Sequence, residues 1–148
     1  METTESPTCR TLNTYTKLMR AAESVTSRVH RPLATYDLTI SQFGVLEALY
    51  HKGPLCQRDI AAKILKSTGN ITMVIDNLEK RGVVRRERDS EDRRYLTVHL
   101  TTQGSELIAQ VFTRIEAVIC SEMMTLTPQE QELLGVLCKK LGLKGGTS

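Results

Sequence analysis

Apolar residues recur at Leu12, Tyr15, Leu18, Met19, Ala22, Val25, Val29 and Leu33, the spacing of one face of a long helix. Ser6-Pro7 predicts its start, with serine as N-cap and proline at the first helical position. Pro32 predicts its end or a kink. Thr39-Ile40-Ser41-Gln42 has the form of a capping box and opens a second helix, with Phe43, Leu46 and Leu49 inward and a close near Gly53-Pro54. A third, short helix carries Ile60, Ala61, Ile64 and Leu65, and its cap position holds Cys56, a weak capping residue. Ser67-Thr68-Gly69-Asn70 starts a fourth, whose buried stripe is Ile71, Val74, Ile75 and Leu78. Gly82 stops it, just after Lys80 and Arg81, whose charges suit a helix C-terminus.

The period then changes. Val83-Val84-Arg85-Arg86-Glu87 reads as a strand, and Tyr95 to Leu100 alternates with Leu96, Val98 and Leu100 on one face. The charged run Arg88 to Arg94 between them predicts the tip of a hairpin. Thr102 opens a fifth helix with Leu107, Ile108, Val111, Phe112, Ile115, Val118, Ile119 and Met123 apolar, where Cys120 is expected in the core. Thr127-Pro128-Gln129-Glu130 starts a sixth with cap, proline and glutamate in their usual places. The fold class is therefore mainly α with a small β-hairpin: a winged helix-turn-helix with additional N- and C-terminal helices. One domain over 1–148 is expected. Its residues 38–101 form the DNA-binding region, and 6–35 and 104–143 form dimerisation helices whose wide apolar faces would otherwise meet water.

Composition narrows this little. An apolar share of 40%, a charged share of 25% and a net charge of +3 over 148 residues fit an ordinary globular chain. The acidic start Met1-Glu2-Thr3-Thr4-Glu5 lacks a secretory layout, and no apolar run is long enough for a bilayer, so a cytoplasmic protein without membrane partners is expected. Cys9, Cys56, Cys120 and Cys138 are scattered without a C-x-x-C pair, which argues against a disulfide framework or structural zinc. His30, His51 and His99 lie on separate elements, so no metal or other cofactor is expected. Phosphate-loop, H-E-x-x-H and G-x-S-x-G motifs are absent, and the chain is not read as an enzyme.

The chemistry concentrates in the centre. Outside the apolar stripe, the fourth helix presents Thr68, Asn70, Thr72, Met73, Asp76 and Asn77. Asn and Thr can bond base edges, and Met73 offers a methyl for thymine. Ser67 and the first amides suit a phosphate, and Gly69 lets the DNA backbone approach. Arg85, Arg86, Arg88, Arg93 and Arg94 gather on the hairpin, and an arginine at such a tip can enter a minor groove. Asp92 has the wrong sign for phosphate and is read as structural, holding the tip through a neighbouring arginine. A plain surface helix and a self-neutralising charged turn are the competing readings, together with a winged helix used for protein docking.

Asp92-Arg93-Arg94-Tyr95-Leu96-Thr97-Val98-His99-Leu100-Thr101 resembles the wing of the MarR family, the multiple-antibiotic-resistance regulators, and Thr102-Gln103-Gly104 continues it. Leu78 to Val84 resembles the family's junction of recognition helix and wing, and Leu38 to Leu46 its second helix. The resemblance implies a homodimeric transcriptional repressor on a pseudo-palindromic operator. Ser67, Thr68, Gly69, Asn70, Thr72, Met73 and Asn77 would then face the major groove, with Arg86, Arg88, Arg93 and Arg94 as wing contacts. It also implies release by a small aromatic or phenolic effector, for which Tyr15, Met19, His30, Tyr36 and His51 are candidates. Cys9 is a weak match to the family's peroxide-sensing branch. The chain departs in carrying Cys56 where Ser or Thr is common, and in lacking an early arginine on the recognition helix.

Overall fold

Helix α1, Pro7–His30, ends where Pro32 removes a backbone donor, and the chain tightens into a 3-10 helix, Arg31–Tyr36. The computed structural model describes residues 6–64 and 71–144. The expected helix start Ser67–Asn70 therefore lies outside the described residues. Helix α2, Ile40–Lys52, opens on Thr39 with both bonds of the capping box formed. Strand β1, Leu55–Cys56, leads into α3, Gln57–Ile64, and then comes α4, whose described span is Ile71–Lys80. Strands β2, Val84–Arg88, and β3, Leu96–Leu100, form the hairpin. Helices α5, Thr102–Met123, and α6, Pro128–Gly142, complete the chain, the latter with its own full capping box at Thr127 and Glu130.

The sheet has three strands in the order β1-β3-β2, both pairings antiparallel. Cys56 stands immediately before α3, the cap position expected of it, and it also pairs with Thr97 in the sheet, beside Leu55 opposite Val98. The hairpin register sets Val84 opposite Leu100 and Arg88 opposite Leu96.

Two compact units make up the chain, one from its two ends up to Val29 and from Glu116 onward, the other His30–Ile115. The His30–Ile115 unit has a continuous core, with Leu46, Ile60, Ile75, Leu78, Val83, Val84, Val98, Ile108 and Val111 fully buried. In the end unit, Val29 alone among the described apolar residues is buried, and α6 buries none. An ion pair links Arg28 to Glu122 at 2.8 Å, and Gln131 Nε2 donates to the carbonyls of Met123 and Leu126. Cys120, expected in the core, is exposed: the buried side chains of its helix, Ile108, Val111 and Ile115, all precede it.

Candidate nucleic-acid interface

Helix α4 is amphipathic by spacing. Ile71, Ile75 and Leu78 face the core, which leaves Thr72, Met73 and Asn77 exposed. Met73 is 60% exposed, which places its thioether and methyl on the outer face of the helix. Gln57, the first residue of α3, donates from Nε2 to Thr72 Oγ1 at 2.6 Å, tying the two helices together at the outer surface.

The far end of α4 is held by three contacts. Gly82, at φ 80°, turns the chain out of the helix, and Val83 N–H bonds back to the Leu78 carbonyl at 3.1 Å. Thr101 Oγ1 donates to the Gly82 carbonyl at 2.7 Å and accepts from Gly104 N–H at 3.0 Å. Arg81 reaches away from the helix to the carbonyls of Tyr36 and Asp37.

Pleat parity divides the arginines of β2. Val84 is buried, so Arg86, two residues on, shares its inward face. The Arg86 side chain is only 16% exposed and contacts Asp76 at 2.7 Å and Glu79 at 3.1 Å, while its own N–H donates to Glu79 at 3.0 Å. Arg86, expected among the DNA contacts, is thus committed to bracing β2 against α4. Arg85 lies on the other face, paired with Glu87, whose second oxygen is 3.2 Å from His99 Nε2. Burial pushes the His99 pKa down, and the neighbouring Arg85 charge pushes it the same way.

Two aspartates shape the wing tip. Asp89 accepts from the amides of Glu91 and Asp92, and the strands close through Asp89 N–H to the Tyr95 carbonyl at 3.0 Å. Asp92 accepts from the Arg94 amide at 3.1 Å and from its guanidinium at 2.8 Å. The Arg94 side-chain bond, then the backbone one, hold the Asp92 carboxyl below its ordinary pKa and push Arg94 upward. Arg88 donates to the Arg93 carbonyl at 3.1 Å. Arg93 itself is exposed, and its guanidinium makes no hydrogen bond or ion pair among the described residues. The tip therefore spends four charged side chains, Arg88, Asp89, Asp92 and Arg94, on its own shape and leaves Arg93 as its cation without a partner among the described residues.

A separate cleft of about 460 Å³ lies within the central unit, lined by His30, Ile40, Phe43, Gly44, Glu47, Ala48, His51, Lys52, Lys63 and Ile64. His30 Nδ1 is buried and has no hydrogen-bond partner among the described residues. Of the residues expected at an effector site, His30 and His51 line this cleft and Tyr36 does not. Tyr15 and Met19 are exposed on α1, in the end unit. Cys9 is exposed near the start of α1. No cluster of three metal-ligating side chains occurs among the described residues, and no described helix is long and apolar enough to cross a membrane.

Sequence reasoning missed three elements of this region. Strand β1 is too short to show a period. Arg81 and Gln57 act on partners far along the chain, and no local pattern marks them. The inward aim of Arg86 was available from its parity with Val84.

The helix, its supporting helix-turn-helix and the sheet beside it define a winged helix-turn-helix, a DNA-binding class of protein. Residues 38–96 match the MarR family model, and the chain belongs to that family. The HTH-type transcriptional regulator YkoM of Bacillus subtilis (strain 168) is 36% identical over 134 residues, which span 90% of this chain and 87% of that protein. MhqR of the same organism is 32% identical over 134 residues, 90% of this chain and 92% of its own. Among solved structures, BpsR of Bordetella bronchiseptica, whose DNA binding is regulated by 6-hydroxynicotinic acid, aligns with a TM-score of 0.76 at 25% identity, covering 88% of this chain and 98% of that one. The protein is a DNA-binding transcription regulator, as these relatives are.

Proposed function

We propose that the protein is a repressor that binds a pseudo-palindromic operator as a homodimer and is released by a small aromatic or phenolic effector. The observation that carries the DNA reading is the pairing of an outward helix face, Thr72, Met73 and Asn77, with Arg93 at the wing tip, whose guanidinium is unengaged among the described residues. The helix suits a major groove and the arginine a minor groove. Ser67, Thr68, Gly69 and Asn70 would extend the same face toward its N-terminus, and Arg88 and Arg94 would flank Arg93.

The dimer is supported by the end unit. Leu12, Tyr15, Met19, Leu133, Leu137 and Leu141 are all exposed on helices with almost nothing buried, which a second copy would cover. The effector reading is supported by the cleft at His30 and His51, of a size that suits a small molecule. Its aromatic wall, Phe43 and His30, has ring centroids 6.3 Å apart.

Sedimentation of the full chain together with selection of duplexes from a random-sequence library tests the reading. Dimers at micromolar concentration and enrichment of a sequence with two-fold symmetry are expected. Monomers, or recovery of DNA without sequence preference, would overturn it. Effector release is tested on the selected duplex, with 6-hydroxynicotinic acid as the first probe.

A further inference from the structure

The 3-10 helix Arg31–Tyr36 and helix α4 end in the same way, and one side chain joins the two ends. Asp37 takes the left-handed conformation at φ 52°, with its N–H bonded to the Ala34 carbonyl at 3.2 Å and Leu38 N–H to the Leu33 carbonyl at 3.1 Å. Gly82 does the same for α4 at φ 80°, with bonds to Glu79 at 2.9 Å and from Val83 to Leu78. Such a motif satisfies carbonyls one turn back and leaves the last ones facing outward. Arg81, immediately before Gly82, fills that vacancy at the other helix: Nη1 donates to the Asp37 carbonyl at 2.9 Å and Nη2 to the Tyr36 carbonyl at 2.7 Å.

We propose that Arg81 is a positioning residue for DNA recognition: it straps the C-terminal end of α4 to the turn before α2 and thereby sets the angle at which α4 meets a groove. The inference rests on α4 being the reading helix. Planarity matters here. Two nitrogens of one guanidinium meet two consecutive carbonyls, whereas a lysine ammonium at the same reach satisfies one. The strap spans 44 and 45 residues of sequence, so it joins elements the local chain does not. Its charge is spent on helix-end carbonyls, the negative pole of the 3-10 helix, rather than offered to phosphate.

The test uses the full chain, a duplex selected from a random library by the wild type, and a scrambled duplex of equal length. Arg81→Met is expected to weaken binding to the selected duplex roughly tenfold, the scale of one base-edge contact. Binding to the scrambled duplex and the slope of log K against log salt should stay unchanged. Arg81→Lys keeps the charge and should lose discrimination to a lesser degree, and it carries the test if the Met variant does not fold. An equal loss on both duplexes with a shallower salt slope would make Arg81 a phosphate contact and overturn the proposal. Unchanged discrimination in both variants would show that the strap does not aim the helix. A wild type that selects no duplex removes the reading of α4 itself, and the inference with it.

Discussion

The carbonyl oxygen of Val83 occupies the space that a β-carbon on Gly104 would need. The same carbonyl accepts from Thr101 N–H at 3.1 Å, and Thr101 Oγ1 takes the Gly104 amide. Thr101-Thr102-Gln103-Gly104 is thus a lock between the strand that follows α4 and the first turn of α5. The obstruction is backbone, which yields less readily than a side chain.

Gly104→Ala is accordingly expected to cost about 2–3 kcal/mol of stability, the upper range for forced overpacking. Urea unfolding measures it. A variant as stable as the wild type would mean that α5 shifts freely on the sheet.

Two arginines of the wing should behave oppositely. Arg86→Ala leaves Asp76 and Glu79 facing each other without their cation, and should lower stability by about 1–3 kcal/mol with little change in the salt dependence of DNA binding. Arg93→Ala should leave the melting temperature unchanged and flatten the salt slope by about one phosphate-equivalent. Thermal melts and salt titrations on the same two variants separate the roles, and an exchange of the two outcomes would reverse the assignment.

Asp92→Asn should loosen the wing tip, because the amide keeps the hydrogen-bond geometry but loses the charge that holds the Arg94 guanidinium. The pH behaviour has a definite sign. The folded carboxyl titrates below its ordinary value, so its contribution is fully present above that value and is lost as pH falls through the lowered one. Carboxylate NMR titration of the wild type should place Asp92 at the acidic end of the aspartates; a midpoint at or above the ordinary value counts against the contact.

His99 gives a second pH effect, of opposite chemical origin. Burial and Arg85 depress its pKa, although Glu87 is close by. The unfolded chain then takes up a proton more readily than the folded one, so stability falls as pH drops from the ordinary histidine value of about 6.5 toward the lowered one. Denaturant midpoints at pH 7.5 and 5.5 should differ less in His99→Gln than in the wild type. An identical difference in both would assign the slope to other groups.

Leu137 lies exposed on α6, in the unit that lacks a core of its own. In a two-fold assembly any substitution acts twice. Placing a charge there, Leu137→Glu, should raise the dimer dissociation constant about a hundredfold, from two losses of roughly 1.5 kcal/mol each. Sedimentation across a concentration series reads this, and an unshifted equilibrium would place the interface elsewhere.

What could be read from the sequence follows the range of the forces involved. The capping boxes at Thr39 and Thr127 were legible because donor and acceptor sit three residues apart. Gly82, Pro32 and the alternation of β3 are equally local. The position of Cys56 before α3 was legible, but its pairing with Thr97 was not, because that pairing is long-range and the strand spans only two residues. Cys120 looked like core because periodicity reports an apolar face without saying what covers it. In the wing, residue type identified the arginines and a structural role for Asp92, and parity with Val84 carries the inward aim of Arg86. The fold adds which acids Arg86 meets, that Arg94 is the partner of Asp92 and that Arg93 has no partner among the described residues.

The 3-10 helix between α1 and α2 joins two places described separately above. Its N-cap is His30, whose ring borders the cleft, and its C-cap is Asp37, gripped by Arg81. At about 2 Å per residue its six residues form a push-rod of roughly 12 Å, stiffened by the fixed ring of Pro32. So short a rod has little slack to absorb a displacement at the imidazole. The cleft and the C-terminal end of α4 are therefore joined by one stiff stretch of backbone and a single guanidinium.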